Sequence, residues 1–439
     1  MEQLTTQIKM NKLILGSIIC SYILAYLYVK SFVFGDSIIE GMGIAPTTGT
    51  FITRLLFAVV FMLWGEIVSY KKLGLRGSRE SYFWMSCTLL ISLSFLIGGN
   101  LMSNYYGTDM SIAFSYCMLH GIAAYWVLCR FQLLMKMKTS GYFLWDSFGA
   151  LVILPFSSFF LRLIEVKTMV KVGLQCKMNR KIEKRNVGIS FLVIGITMLL
   201  LFMVTRLLGQ SDQNFARIFN FVMKGIKLPK IDWGICLYII LSLPVGAYLF
   251  GLIQGAYKRE TSIIPMKIVE NGVAKLRVVS VNMLVVALSL FCLIYGLYIL
   301  LQASYFFGAF TGKLPVGFTF AEYARQGFFE LCMILALNLG IFIVIRKVCL
   351  VEIQVAKGLF VCLLIFMGES MIFVITAFSK LLFYIEAYGF TTLRVMSLWA
   401  IIVLMLAVGL AIASMYGVKE VARKWILFTA GTFTILSFL

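Results

Sequence analysis

Long apolar stretches alternate with short polar connections along almost the whole chain. Most of the stretches reach the ~20 residues that a helix needs to cross the ~30 Å hydrocarbon core of a bilayer. We predict helices at residues 13–34, 51–69, 82–101, 110–129, 187–208, 233–256, 278–302, 322–345, 358–379, 395–416 and 425–439. The pattern therefore predicts an all-α protein, a polytopic transmembrane helix bundle with about eleven spans.

The basic residues of the connections set the predicted orientation. With the N-terminus on the cytoplasmic side, the connections predicted to lie inside hold 28 lysines and arginines, and those outside hold 9. Short cytoplasmic loops carry an excess of Lys and Arg, so this imbalance favours a cytoplasmic N-terminus. Arg54 and Glu66 lie near opposite ends of the second helix, where we expect each to reach the interface.

Two further stretches are apolar without being simple spans. Residues 143–161 are long enough to cross, but a crossing would place 19 downstream basic residues outside. We expect this segment to be re-entrant, with Pro155 as its break, or interfacial. Residues 209–232 predict an amphipathic helix on the outer surface. Since no soluble module is apparent, residues 1–439 are predicted to form a single integral membrane domain.

Composition supports this class of protein and excludes others. The chain is 61% hydrophobic and 13% charged, with a mean hydropathy of +0.96 and a net charge of +20. The positive charge lies at helix ends, which favours anionic lipid headgroups on the cytoplasmic face as partners and argues against nucleic acid. The ten cysteines are scattered and are expected to behave as small buried hydrophobes. Because His120 is the only histidine, a multi-histidine zinc site and a bis-histidine haem are excluded, and we expect no cofactor or metal.

Tryptophans near the ends of the apolar stretches, such as Trp84, Trp126 and Trp145, are predicted to form an interfacial belt.

Three ionisable residues lie at depths where charge is expensive. Glu369 lies near the middle of the ninth helix, Glu330 lies about 12 Å below the outer end of the eighth, and His120 is central in the fourth. Each could belong to a proton or cation path, or could hold helices together through an ion pair or hydrogen bond. The sequence leaves both interpretations open.

The sixth helix contains Pro244. A proline at this depth can expose backbone to a substrate, as in transporters, or can be an ordinary kink. Ala247, Gly251 and Gly255 recur every four residues on the same helix and predict a ridge that permits close helix approach.

Parts of the chain resemble a family of bacterial multi-pass membrane proteins, domain of unknown function 4173. The stretches that carry the resemblance are SLPVGAYLFGLIQG, LPVGFTFAEYARQGFFEL and KLLFYIEAYGFTTLRVMSLW. The resemblance implies a helix bundle in the bacterial plasma membrane and brings no established activity. Its motif residues include Arg325, Glu330 and Arg394, which the predicted topology places in the outer half of the membrane. We expect these three charges to form one polar cluster.

The sequence supports two classes of function. Many helices, a proline-containing helix and acids near the midplane favour transport or conduction of a small solute or ion. A non-catalytic signalling or scaffolding subunit would need only a bundle whose basic cytoplasmic face docks a partner protein or anionic lipid. A membrane-embedded enzyme is the weakest interpretation, since no clustered histidines or acids accompany a nucleophile and no catalytic residue is predicted.

Overall fold

The computed structural model describes residues 2–33, 48–74, 77–102, 109–168, 197, 233–301 and 328–438. This part of the chain is helical, and it contains no β-strand. The helices, numbered in chain order, are α1 (Glu2–Tyr28), α2 (Thr48–Leu73), α3 (Arg79–Met102), α4 (Asp109–Arg130), α5 (Phe143–Phe148), α6 (Leu154–Ser157), α7 (Leu161–Thr168), α8 (Trp233–Lys258), α9 (Met266–Lys275), α10 (Val281–Leu301), α11 (Phe328–Val348), α12 (Lys357–Tyr388), α13 (Thr392–Met415) and α14 (Val421–Leu436). Short π-helical segments follow α1 (Val29–Val33) and join α5 to α6 (Gly149–Ile153).

The all-α class is confirmed, whereas the number of spans is not. Among the described residues, eight helices are long and apolar enough to cross a membrane, or up to nine if one bent pair is counted as a span. The predicted helix at 187–208 lies outside the described residues except for Thr197, which is helical. The predicted outer segment 209–232 also lies outside them.

The longest helix, α12, extends nine residues beyond its predicted end. The sequence has no glycine or proline between residue 380 and Gly389, and Gly389 ends the helix with φ of 74°. Lys380 therefore lies inside α12, where it is 1% exposed, and not in the outer connection to which the sequence assigned it.

The helices pack into two groups. One core contains side chains from α1 to α4 and α8, with α5 and α6 against them, and the other lies among α10 to α13. Helix α14 packs against both α13 and α3 and so joins the groups. Trp399 on α13 donates to Thr432 Oγ1 at 3.0 Å, and Trp425 on α14 donates to Val403 O at 3.0 Å.

Two of the predicted belt tryptophans are core residues instead. Trp84 is 1% exposed and Trp126 is 0% exposed, whereas Trp145 is half exposed. Trp126 fits because Gly65 on α2 has no side chain: a Cβ at that position would lie 2.4 Å from the indole ring. The position of a tryptophan near a helix end therefore does not determine whether its ring faces lipid or the core.

Several connections meet at one end of the bundle, and we call this end, with the helix ends that adjoin it, the basic face. The connections are 131–142, 259–280, 349–356 and 416–420. Glu80, at the start of α3, accepts from Thr139 N at 2.8 Å and from Arg423 Nε at 2.6 Å. Lys138 and Arg423 both pair with Glu420. These hydrogen bonds lower the pKa of the Glu420 carboxyl because they stabilise its charged form.

The segment beginning at residue 143 bends and packs along α8. The axis turns by 41° between Phe143–Ser157 and Leu161–Thr168, so the break follows Ser157 and is not at Pro155, which lies in the first turn of α6. Its first end lies at the basic face, where the Tyr142 hydroxyl donates to Glu270 at 3.2 Å. Past the bend, Glu165 pairs with Lys258 at the end of α8. These contacts support a re-entrant segment, and its return to the cytoplasmic side stays a prediction.

Candidate functional site

Glu369 lies near the middle of α12 and faces α10. The Cys292 thiol on α10 interacts with its carboxylate and donates a hydrogen bond to Cys362 O at 3.7 Å. Gly296, one turn farther along α10, lies next to that carboxylate: a Cβ there would be in ordinary van der Waals contact with Glu369 Oε1, at 3.6 Å. The other oxygen, Oε2, is buried and has no hydrogen-bond partner in the described part of the chain.

A hydrogen-bonded chain lies beside Glu369 and links three helices. Tyr295 on α10 donates its hydroxyl to Asn338 Oδ1 on α11 at 2.9 Å. Asn338 Nδ2 donates to Ser370 Oγ on α12 at 2.9 Å, and Ser370 donates to Phe366 O at 2.9 Å. Asn338 and Ser370 are 0% exposed. Interhelical hydrogen bonds of this kind contribute about 0.6 kcal/mol on average inside a membrane, and up to roughly 2.

No positive charge pairs with Glu369 in the described part of the chain. The next basic residue along α12 is Lys380, about 16 Å away along the helix axis. Glu369 is half-buried, and a carboxyl group at this depth without a cationic partner must hold a proton, bind a cation or reach water. These are the chemical options of this position.

Glu330 has a neighbour that the sequence did not suggest. It lies in the first turn of α11, is exposed, and interacts electrostatically with buried Lys380 on α12. The prediction of a single cluster with Arg325 and Arg394 stays a prediction, because Arg325 lies outside the described residues.

The Arg394 side chain hydrogen-bonds carbonyl groups at the C-terminal end of α12. Its Nη1 donates to Tyr388 O at 2.8 Å and to Gly389 O at 2.7 Å. Its guanidinium lies over the Tyr384 ring, 4.3 Å from the centroid. Among the described carboxylates, none forms an ion pair with Arg394. The side chain thus caps carbonyls that the helix leaves open.

His120 belongs to a second polar group, in the first packing group. Its Nδ1 lies 2.6 Å from Tyr116 O, and its ring meets Tyr28 edge to face with centroids 5.4 Å apart. Arg54 does not reach the interface as expected: it is 1% exposed, donates Nη2 to Ser31 O at 2.9 Å, and lies over the Tyr116 ring. These contacts join α1, α2 and α4.

The prolines of interest do not open a binding site in the described structure. Helix α8 continues through Pro244 to Lys258. The neighbouring carbonyl of Leu243 accepts from Arg162 Nη2 at 2.7 Å, and Arg162 also lies over the Tyr22 ring. Pro155, in the first turn of α6, packs its carbonyl close to Gly251. Both prolines therefore lie where α8 packs against the bent segment.

Of the residues selected from the sequence, Glu369 has the surroundings that best suit a function. Its neighbours Cys292, Tyr295, Asn338 and Ser370 were not predicted. The sequence does contain one indication of this site, because Asn338 is the one asparagine within Phe328–Val348. Its hydrogen-bond partners, however, depend on how three helices are rotated about their axes.

Comparison with known proteins gives a family without an activity. No curated protein and no solved structure matches the chain. The comparison confirms that a family of unknown function covers most of the chain. It does not confirm the resemblance to domain of unknown function 4173. The sequence matches a different domain of unknown function over residues 85–439. Because this match covers more than half of its length, the chain belongs to the family described as Domain of unknown function (DUF4153).

Proposed function

We propose that the protein moves a small solute or ion across a bacterial plasma membrane and that Glu369 binds the proton or cation that takes part. The observation that carries the proposal is the position of this carboxylate. It lies in the middle of the longest span, has one buried oxygen without a hydrogen-bond partner, and has no cationic partner in the described part of the chain. In this proposal the N-terminus and the basic face lie in the cytoplasm.

The neighbouring polar chain supports the same role. Tyr295, Asn338 and Ser370 provide a hydroxyl, an amide and a second hydroxyl on the three helices around the carboxylate. Groups of this kind can ligate a cation or pass a proton without adding a fixed charge. Polar residues at this depth face a bundle interior and commonly mark ion pathways.

The experiment compares one substitution at two positions of α12. Glu369→Gln keeps the shape of the side chain and removes its charge, whereas Glu386→Gln makes the same change at an exposed position near the helix end. Purified proteins are reconstituted in vesicles, and flux is measured under imposed gradients of H⁺, Na⁺ or K⁺. We expect the parent and Glu386→Gln to conduct equally, and Glu369→Gln to fall to the level of empty vesicles.

Two results would contradict the proposal. One is a folded Glu369→Gln protein, with a parental melting curve, that conducts like the parent. The other is a parent whose flux equals that of empty vesicles under all of these gradients.

A non-catalytic subunit that docks a protein or anionic lipid is the second candidate function. It is favoured by two arginines at the basic face, Arg277 and Arg346, which form no ion pair with any described carboxylate. Such a role does not depend on Glu369, so in that case Glu369→Gln would be silent.

A further inference from the structure

A small cleft opens at the basic face, between the end of α11 and the residues that lead from α9 into α10. Its volume is about 230 Å³. Polar side chains from both walls line it, together with an apolar floor: Arg277, Arg346, Glu352, Gln354, Cys349 and Ile353.

Backbone hydrogen bonds hold the two walls together. Val279 N donates to Val348 O at 3.1 Å, and Leu350 N donates to Val279 O at 3.2 Å, forming a short parallel bridge. Cys349 and Ile353 are 4% and 7% exposed, so the floor is packed. The cleft is therefore built by paired backbone and a packed floor.

The charges of the cleft are unbalanced. Arg346 is fixed by a hydrogen bond from Nη1 to Ser414 Oγ at 2.6 Å, which leaves most of its donors unused. Arg277 is exposed and forms no ion pair in the described part of the chain. Glu352 is the one carboxylate among the described residues of the lining. Two guanidinium groups in one cleft suit a phosphate, because their donors match its oxygens.

The rim of the cleft indicates where this phosphate would come from. Leu276, Val278 and Leu350 are 54%, 70% and 56% exposed beside the arginines. Arg346 also lies in the last turn of α11, a candidate span, and therefore at the level of lipid headgroups. Exposed aliphatic side chains next to cationic ones suit the boundary between headgroups and acyl chains better than they suit water.

We propose that this cleft binds the headgroup of a membrane phospholipid. Arg277 and Arg346 donate to its phosphate, and Glu352 accepts from an amine or hydroxyl of the headgroup. The volume agrees with this assignment, since it is smaller than the ~300–1,000 Å³ of pockets that enclose a whole drug-sized ligand. The acyl chains would stay in the bilayer beside the aliphatic rim.

The test measures lipid binding to the full chain, purified in detergent, by native mass spectrometry. The probes are phosphatidylethanolamine and phosphatidylglycerol, which carry headgroup donors, and phosphatidylcholine, which carries none. We expect Arg277→Gln and Arg346→Gln each to weaken binding about fivefold, the contribution of one basic residue near a headgroup. The control is Lys275→Gln, an exposed cation of α9 outside the lining, which should bind like the parent.

The remaining comparisons separate the sources of phosphate and the role of Glu352. Inorganic phosphate should fail to displace the lipid, and Glu352→Gln should reduce the preference for phosphatidylethanolamine over phosphatidylcholine. Parental binding by both arginine variants would overturn the proposal, as would an equal loss in Lys275→Gln, which would indicate diffuse attraction to the basic face. Displacement by inorganic phosphate would assign the cleft to a soluble ligand.

Discussion

At the scale of single residues, burial decides which charges matter. Arg130 and Glu66 form one ion pair, with Arg130 Nε 2.9 Å from Glu66 Oε1. The partners are unequal, because the arginine side chain is 1% exposed and the glutamate side chain 29%. Loss of the glutamate leaves a buried cation with little compensation, whereas loss of the arginine leaves a carboxylate that can reach solvent.

We therefore predict an asymmetric pair of variants. Glu66→Gln should lower the free energy of unfolding by about 3 kcal/mol, and Arg130→Met, which keeps most of the volume, should cost less. The double variant should recover most of the loss, since it removes the uncompensated cation. Denaturant titration of the four purified proteins in one detergent measures these differences. Equal losses in both single variants would refute the argument from burial.

Sequence reasoning could find Glu369 but not its surroundings. The depth of a residue follows from counting along an apolar stretch, and α12 does place Glu369 deep in a span. Its closeness to Cys292 and to the hydrogen-bonded chain through Asn338 depends on the rotation of three helices about their axes. An apolar span that faces lipid on one side and protein on the other has almost no amphipathic pattern from which to read that rotation.

At the scale of helices, the small-residue ridge of α8 has a definite partner. A Cβ at Gly251 would lie 2.7 Å from Pro155 O, and one at Gly255 would lie 2.6 Å from Ser158 Oγ. The ridge thus lets α8 approach the backbone of the bent segment. The sequence predicted close packing here, but it could not identify the partner, because small residues permit an approach without specifying what approaches.

This contact gives a matched pair of glycine substitutions. Gly251→Ala should destabilise the protein by about 1–3 kcal/mol, because the backbone oxygen that it meets cannot rotate away. Gly272→Ala, on α9 with nothing within 4 Å, should instead be neutral or stabilise by up to about 1 kcal/mol. Melting temperatures in the same detergent compare the two. A Gly251→Ala protein as stable as Gly272→Ala would mean that the bent segment does not rest on α8.

At the scale of the whole molecule, the distribution of basic residues and the structure bear on one question. The question is on which side of the membrane the bent segment ends. The sequence established that helices alternate with basic connections, and the described helices agree with ten of the predicted ones. The side of the membrane on which each connection lies, however, depends on how the chain is inserted in the bilayer. Tyr142 and Glu165 contact residues 258–277, a stretch predicted to be cytoplasmic, whereas Arg162 reaches Leu243 in the middle of α8.

Cysteine labelling decides between a re-entrant segment and a crossing. In a cysteine-free background we place single cysteines at Lys138 and Lys177, before and after the segment, and at Phe390, between α12 and α13. A membrane-impermeant maleimide is then applied to intact cells and to inverted vesicles. We expect the cysteines at 138 and 177 to react only in inverted vesicles and the one at 390 only in intact cells, because a return to the cytoplasmic side keeps 28 basic residues inside. Opposite labelling of 138 and 177 would instead make Phe143–Thr168 a broken span and invert every connection that follows it.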